Sequence, residues 1–409
     1  MSSPRFDVIL FGSTSFVGQI LCAYLLERHG TNGVVKWAMA GRSQSKLDSV
    51  KASLGDDASG IATIVADAGD DAALRDLCAQ ARVVISTVGP YALYGSPLVK
   101  VCVETGTDYV DLTGEVQWIY RMIREHEPEA RESGARIVHC CGFDSIPSDL
   151  GVLFHQRTAL ERYGEPARQI RMQVARIKGS ASGGTVASLL NVAREMASDR
   201  SLRKILANPY SLVIDGKARA RQPNIRTPQR DPETGAWLGP FVMAAINTRI
   251  VHRSNALSDY AYGVDFLYDE SMRMGRGLSG GLFATAFTGG LGAFMLGAAL
   301  PPTRWLMENV MLPKPGEGPS PEAQRKGMFD LRFHGTTAGG QRLTTRVTGD
   351  RDPGYGSTAK MLGEAGVCLA QDIGQSDVPG GFWTPATALG DALVARLERH
   401  AGLTFEVVD

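Results

Sequence analysis

The run Val8-Ile-Leu-Phe-Gly12-Ser-Thr-Ser15-Phe-Val-Gly18 takes an apolar strand into a turn of small residues and straight into a helix. A turn of this kind aims backbone N–H groups at an anion, and the helix N-terminus behind it adds favourable partial charge. The matching chemistry is the binding of a dinucleotide pyrophosphate. Gly12 would give the tight turn and Gly18 the close packing of helix on strand. The spacing is GxxSxxG, so Ser15 stands where the GxxGxxG form has its middle glycine. Its hydroxyl can cap the helix, while its Cβ narrows the approach. An ordinary strand–turn–helix is the plainer alternative.

A second group follows the next strand: Ala40-Gly41-Arg42-Ser43, then Lys46. Nucleotides without a 2′-phosphate usually meet a carboxylate there, about 20 residues past the glycine turn. Arg42, with Ser43 and Lys46 beside it, suits a phosphate, because a guanidinium donates two parallel hydrogen bonds. The pattern favours NADP over NAD; a solvated, basic helix start is the alternative. Asp67, just past the third strand, is placed either to meet the adenosine or to cap the following helix. The fourth strand runs into Ser86-Thr87-Val88-Gly89-Pro90-Tyr91, the loop that passes under the nicotinamide in this topology. There Thr87, Gly89 and Pro90 would hold the backbone and leave Tyr91 or Tyr94 toward substrate, unless the segment is a simple turn. The sixth strand leads into Cys141-Gly-Phe-Asp144-Ser145-Ile-Pro147-Ser-Asp149. Asp144 and Ser145 could orient substrate or relay a proton. An Asx turn opening a helix at Pro147 is the competing reading.

What is missing also narrows the chemistry. There is no Tyr-x-x-x-Lys pair, P-loop or GxSxG elbow, and the seven histidines show no HExxH or paired spacing, so no metal site is expected. Six cysteines include no CxxC pair, and Cys140-Cys141 reads as buried small hydrophobes. Forty-three basic residues balance forty-three acidic ones, which gives no electrostatic case for nucleic acid. The N-terminus shows no signal-peptide pattern, so the expected compartment is cytoplasmic.

These residues need a sheet to hold them. Strands are predicted at Asp7–Phe11, Val34–Ala40, Ile61–Val65, Val83–Thr87, Asp108–Asp111 and Ala135–Cys140. Helices such as Phe16–Arg28, Asp71–Ala79 and Leu98–Glu104 lie between them. The alternation is that of parallel βαβ units and a doubly wound dinucleotide domain. Further on, Leu150–Tyr163 and Thr185–Ala197 read as helices and Gln169–Ile177 as a strand. Lys217–Gly239 reads as a loop or hairpin. Ala256–Tyr268, Lys326–Gly335 and Gln341–Thr348 are predicted as strands of a second sheet, with closing helices at Thr358–Asp372 and Pro385–His400. The fold class is therefore α/β: an N-terminal Rossmann domain (1–145) and an α+β mixed-sheet domain (146–383). Residues 384–409 are expected to form a helix returning to the first domain.

Several stretches together resemble the saccharopine dehydrogenase-like oxidoreductases: GSTSFVG, AGRS, STVGPYALYG, YVDLTGE, CGFDSIPSDLG, SGGT (182–185), GDRDPGYGSTAKM and FWTPATALGDALVARL. The branch most resembled includes trans-acting enoyl reductases and lipid-droplet-associated relatives. The resemblance implies that Gly12, Thr14, Ser15, Phe16 and Val17 form the pyrophosphate turn. It places Arg42 at the 2′-phosphate and Gly89-Pro90-Tyr91 at the nicotinamide. It also implies a C-terminal helix packed on the Rossmann side.

The expected function is an NADPH-dependent reductase of an enoyl or acyl, lipid-like substrate. One alternative is a reductase of an amino-acid-derived imine, for which Arg168, Arg171, Arg176 and Lys178 would be the carboxylate clamps. Another is a non-catalytic NADP-binding protein on lipid surfaces. A homodimer stays open. Residues 277–303 carry no charge across 27 positions. A membrane span, a buried helix pair and an exposed apolar hairpin bent at Gly289-Gly290 compete for them. The hairpin is preferred, with Phe283, Phe287, Phe294, Met295 and Leu296 touching lipid or guiding an acyl chain.

Overall fold

The computed structural model describes residues 4–179, 183–307 and 318–408. The first half alternates strands with helices. It runs β1 (Phe6–Phe11), α1 (Phe16–His29), β2 (Trp37–Gly41), α2 (Gln44–Ser53), β3 (Ala62–Val65), α3 (Asp71–Cys78) and β4 (Ala81–Ser86). Then come α4 (Tyr91–Tyr94), α5 (Ser96–Thr105), β5 (Asp108–Asp111), α6 (Val116–Ser133), β6 (Arg136–Val138) and α7 (Ile146–Tyr163). β1, β2 and β4 are nearly continuous apolar runs, and β5 (Asp-Tyr-Val-Asp) is buried throughout, because helices cover both faces of a parallel sheet.

The second half supplies β7 (Ala167–Lys178), α8 (Gly183–Ser198), α9 (Arg200–Ala207), β8 (Gln229–Arg230), β9 (Trp237–Pro240), α10 (Ala244–Leu257) and β10 (Leu267–Arg273). It continues with α11 (Gly277–Ala299), α12 (Pro301–Leu306), α13 (Pro321–Arg325), β11 (Met328–Thr337), β12 (Arg342–Gly349) and α14 (Thr358–Gln371). It ends with β13 (Gly381–Trp383), α15 (Pro385–Ala388), α16 (Gly390–Arg396) and β14 (Leu403–Val407).

The first sheet has the order β13-β6-β5-β4-β1-β2-β3 and is parallel throughout. Strand order reverses between β1 and β4, so a crevice opens there at the carboxyl ends of the strands. The second sheet, β14-β12-β11-β7-β10-β9-β8, is mixed, with β7 and β10 parallel and the other pairs antiparallel. One apolar core runs without interruption from β1 and α1 through α14 and α7 to β7, β11 and β12. The opposite face of the first sheet is closed by α3, α5 and α6.

Four expectations need correction. Ala256–Tyr268 is not a strand: it spans the end of α10, a turn and the start of β10. The residues of α10 that look too polar for a packed helix, such as Asn247 and Arg253, are buried against distant partners. The boundary at 383 also falls elsewhere. α14 packs on β4 and β5, and β13 extends the first sheet beside β6, so the chain returns to the Rossmann layer before Trp383. The closing helix at Pro385–His400 breaks at Gly390 (φ +45°), and the last residues form β14 in the second sheet. Finally, α11 is one uninterrupted helix that does not turn back at Gly289-Gly290, because β9 supports its first half and α8 its second.

Candidate active site at the carboxyl edge

Every loop singled out in the sequence reaches the same edge, because β1 to β6 run parallel. Gly12 adopts φ +94°, a region that L side chains rarely enter. A Cβ there would lie 2.6 Å from Thr87 Oγ1, and one on Gly18 would lie 2.2 Å from the Gly12 carbonyl. The backbone therefore comes as close as glycine permits. Ser15 caps α1, its Oγ accepting from the Gly18 N–H at 2.9 Å and lying 2.9 Å from Thr87 Oγ1. Thr87 in turn donates to the Gly12 carbonyl at 2.9 Å. The β1 and β4 loops are thus tied together across the crevice. In the first turn of α1 the N–H groups of Phe16 and Val17 have no intrahelical acceptor. Thr14 sits in the same turn, half-buried.

Arg42 and Lys46 are exposed at the start of α2, without an ion pair among the described residues. Ser43 caps that helix, its Oγ 3.5 Å from the Lys46 N–H, and the first turn holds no carboxylate. Two free cations at a helix N-terminus, beside a glycine cradle that a Cβ would fill, fit a nucleotide carrying a 2′-phosphate. Asp67 is exposed and accepts from the Gly69 N–H at 2.9 Å; Asp70, not Asp67, caps α3.

The nicotinamide loop is held from below. Glu115 is fully buried and accepts from the N–H groups of Tyr91 and Ala92 at 2.8 and 3.0 Å. Ser188 of α8 donates to the same carboxylate at 2.9 Å. Burial pushes the Glu115 carboxyl up, and these donors oppose the shift. Its position, just after the Gly89-Pro90-Tyr91 loop in space, gives it a positioning role that the YVDLTGE motif contained but did not reveal. Tyr355, from the GDRDPGYGSTAKM motif, is the second such residue. Its ring meets Phe16 edge-on at 4.9 Å and its hydroxyl accepts from the Gly183 N–H at 2.8 Å, so the second domain reaches back to the pyrophosphate turn.

Two of the three catalytic candidates turn inward. Tyr91 is buried with its hydroxyl donating to the Ser86 carbonyl at 2.9 Å, because its ring packs on Trp118 rather than facing the crevice. Ser145 is buried and donates to Asn247 at 3.0 Å, within a network that continues to Ser148 and Glu270. Both hydroxyls serve the fold. Asp144 differs. It is half-buried, no side chain among the described residues donates to it, and a Cβ on Gly114 would lie 3.6 Å from its Oδ1. Burial, with the nearby Asp111 charge adding to it, pushes its pKa up to about 7. The loop that carries it is shaped upstream. Asp111 accepts from the N–H of Cys140, which takes a left-handed φ of +63°, and lies 2.7 Å from His139 Nδ1.

The proposed carboxylate clamps are spoken for or face outward. Arg171 pairs with Asp231 and Glu233, Arg168 pairs with Asp265, and Arg176 and Lys178 are exposed along β7. All six cysteines are buried and unpaired. No metal-binding cluster occurs among the described residues. Ser182 of the SGGT motif lies outside them. A surface depression of about 520 Å³, lined by Leu26, Gly30 and Asp57, lies at the far end of α1 and takes no part in this edge.

Residues 8–138 match the saccharopine dehydrogenase NADP-binding domain. A trans-acting enoyl reductase of Mycobacterium ulcerans is 40% identical over 416 residues, covering 97% of both chains. One from Mycobacterium tuberculosis is 40% identical over 406 residues, covering 96% of both. The chain belongs to the saccharopine dehydrogenase-like family, in its trans-acting enoyl reductase branch. Apo saccharopine dehydrogenase of Saccharomyces cerevisiae shares the fold, with a TM-score of 0.54 over 98% of this chain and 99% of that one at 16% identity. As a member of this family the chain is an NAD(P)-dependent oxidoreductase, and its nucleotide is NADP(H).

Proposed function

We propose that this reductase saturates the carbon–carbon double bond of an enoyl thioester with a lipid-like acyl chain. The observation that carries the reading is 40% identity, over nearly the whole chain, to proteins named trans-acting enoyl reductases. NADPH, when bound, supplies the hydride. The chain's own groups do the rest. Phe16 and Val17 N–H groups hold the pyrophosphate, Arg42 and Lys46 the 2′-phosphate, and Glu115 fixes the Gly89-Pro90 loop.

The hydride adds at the β-carbon, so a proton must reach the α-carbon. We assign that proton to Asp144: burial pushes its carboxyl up to about 7, and no side chain among the described residues donates to it. After each turnover the carboxylate regains a proton from solvent. The imine-reductase alternative is weaker here, since its candidate clamps are paired with carboxylates or face solvent.

The test combines the protein, NADPH and a trans-2-enoyl thioester, following loss of the reduced nicotinamide absorbance and product mass. Formation of the saturated thioester, reduced about a hundredfold or more in Asp144→Asn with NADPH binding intact, supports the proposal. Tight NADPH binding with no reduction of any enoyl thioester, alongside reduction of an imine, would overturn it.

A further inference from the structure

We infer that α11 docks this protein on an anionic lipid surface, lying in the plane of the membrane interface rather than crossing it. The helix is 23 residues long, about 34 Å at 1.5 Å per residue, so length alone would allow a span. Its packing does not. The first half rests on β9, where a Cβ on Gly281 would lie 3.0 Å from the Trp237 ring. In the second half Phe294 and Ala298 pack on Leu190 and Ala193 of α8. A helix fastened to the body along both halves cannot leave it to cross a bilayer.

The side turned away from the body is apolar. Leu278, Leu282 and Leu296 are 90%, 74% and 71% exposed, and a spacing of 18 residues puts the first and last on the same face. Phe283 is exposed beside them, and Trp305 of α12 is 64% exposed past the C-terminal end. Soluble surfaces rarely carry so long an uncovered apolar strip without a partner.

The charges decide which partner. No carboxylate occurs in the sequence between Glu270 and Glu308. Exposed Arg276 precedes the helix and half-buried Arg304 follows it, each without an ion pair among the described residues. An apolar helix bracketed by cations, with a tryptophan near one end, matches an interface rich in anionic headgroups. Thr285, Gly289 and Ala293 flatten the middle of the face and would also admit a second helix. Pairing two copies of α11, however, sets arginine against arginine in either orientation, with no carboxylate between Glu270 and Glu308 to answer them. The inference stands independently of the enoyl substrate.

The test is flotation of the full-length protein with phosphatidylcholine vesicles and with vesicles that also contain phosphatidylglycerol. Binding to the second kind, lowered by salt, and reduced about tenfold or more in Leu282→Asp/Leu296→Asp with NADPH binding unchanged, supports the inference. Arg276→Glu/Arg304→Glu should weaken binding to the anionic vesicles alone, and it decides the matter if the leucine variant unfolds. No flotation with either vesicle overturns the inference. So does flotation that both double variants leave untouched. A dimer in sedimentation that the leucine variant dissociates would assign the face to a second copy of the chain and overturn it equally.

Discussion

Replacing Arg42 by alanine tests the cofactor end of the site without disturbing the fold. The guanidinium is exposed and makes no hydrogen bond or ion pair among the described residues, so its loss leaves nothing buried and unpaired. Thermal stability should therefore stay within the small range of ordinary surface changes, about 0.5 kcal/mol. A hydrogen bond from a charged donor to a phosphate contributes about 1.5–3 kcal/mol. Solvent exposure puts Arg42 at the lower end, because water and salt screen it. Lys46 remains to hold part of the charge. The expected loss of NADPH affinity is about tenfold, from about 1.5 kcal/mol. NADH lacks the 2′-phosphate and should bind the variant as it binds the wild type. Fluorescence titration of both nucleotides against both proteins gives the four dissociation constants needed. The reasoning fails if wild type binds the two nucleotides equally, or if Arg42→Ala weakens both to the same extent. Rising ionic strength should erode the NADPH preference of the wild type more than that of the variant.

Three further outcomes follow from the same geometry. Gly18→Ala forces a Cβ to within 2.2 Å of the Gly12 carbonyl, so it should cost about 1–3 kcal/mol of stability and lower NADPH affinity together, measured by melting and titration. A chain ending at Trp383 loses buried Leu389, Leu393 and Leu397, the Arg396 partner of Glu364 and the Ala386 N–H that caps Asp149. At about 2–5 kcal/mol per buried leucine the loss is comparable to the whole of a typical domain's stability, and a truncated protein with normal melting and NADPH binding would contradict it. Because the Asp144 carboxyl is pushed up to about 7 and must be protonated to donate, kcat/KM should be full below that value and fall as pH rises through it. In Asp144→Asn that limb should vanish from what activity remains.

The Rossmann layer was readable because buried parallel strands are apolar runs, and glycine turns follow them at fixed spacing. The candidate phosphate cradle was legible for the same reason: the left-handed Gly12 and the Ser15 cap are set by local backbone, and the exposure of Arg42 by its place just before α2. Tyr91 and Ser145 were not, since which way a hydroxyl points depends on Trp118 and Asn247, partners 27 and 102 residues further along the chain. α10 escaped because its buried Asn247, Arg253 and Ser254 break the apolar period. Their partners, Glu270, the Phe382 carbonyl and Asp149, are brought up only by the tertiary fold. β13 has three residues and β14 five, too few to show a period at all. In α11 two adjacent glycines argued for a bend, but support from β9 and α8 at either side offsets their weak helix propensity.

The division between satisfied and unsatisfied groups says more about the site than residue type does. At this edge Ser13, Tyr91, Ser145 and Glu115 have each found partners inside the protein, at distances that leave them nothing to offer a ligand. Among the described residues Arg42, Lys46 and the first N–H groups of α1 have not, and no side chain donates to the Asp144 carboxyl. The unpartnered positive groups gather on the β1–β2 side of the switch point, where a nucleotide's phosphates must sit. Asp144 lies on the β5–β6 side, which leaves the Gly89-Pro90 loop between them. On the proposed function this sets anion binding and proton supply on opposite flanks of one crevice, the arrangement that hydride transfer with delivery of a proton requires. Ser188 and Tyr355 pin that crevice from the second domain. The reacting edge is therefore complete only when both sheets are folded on their common core.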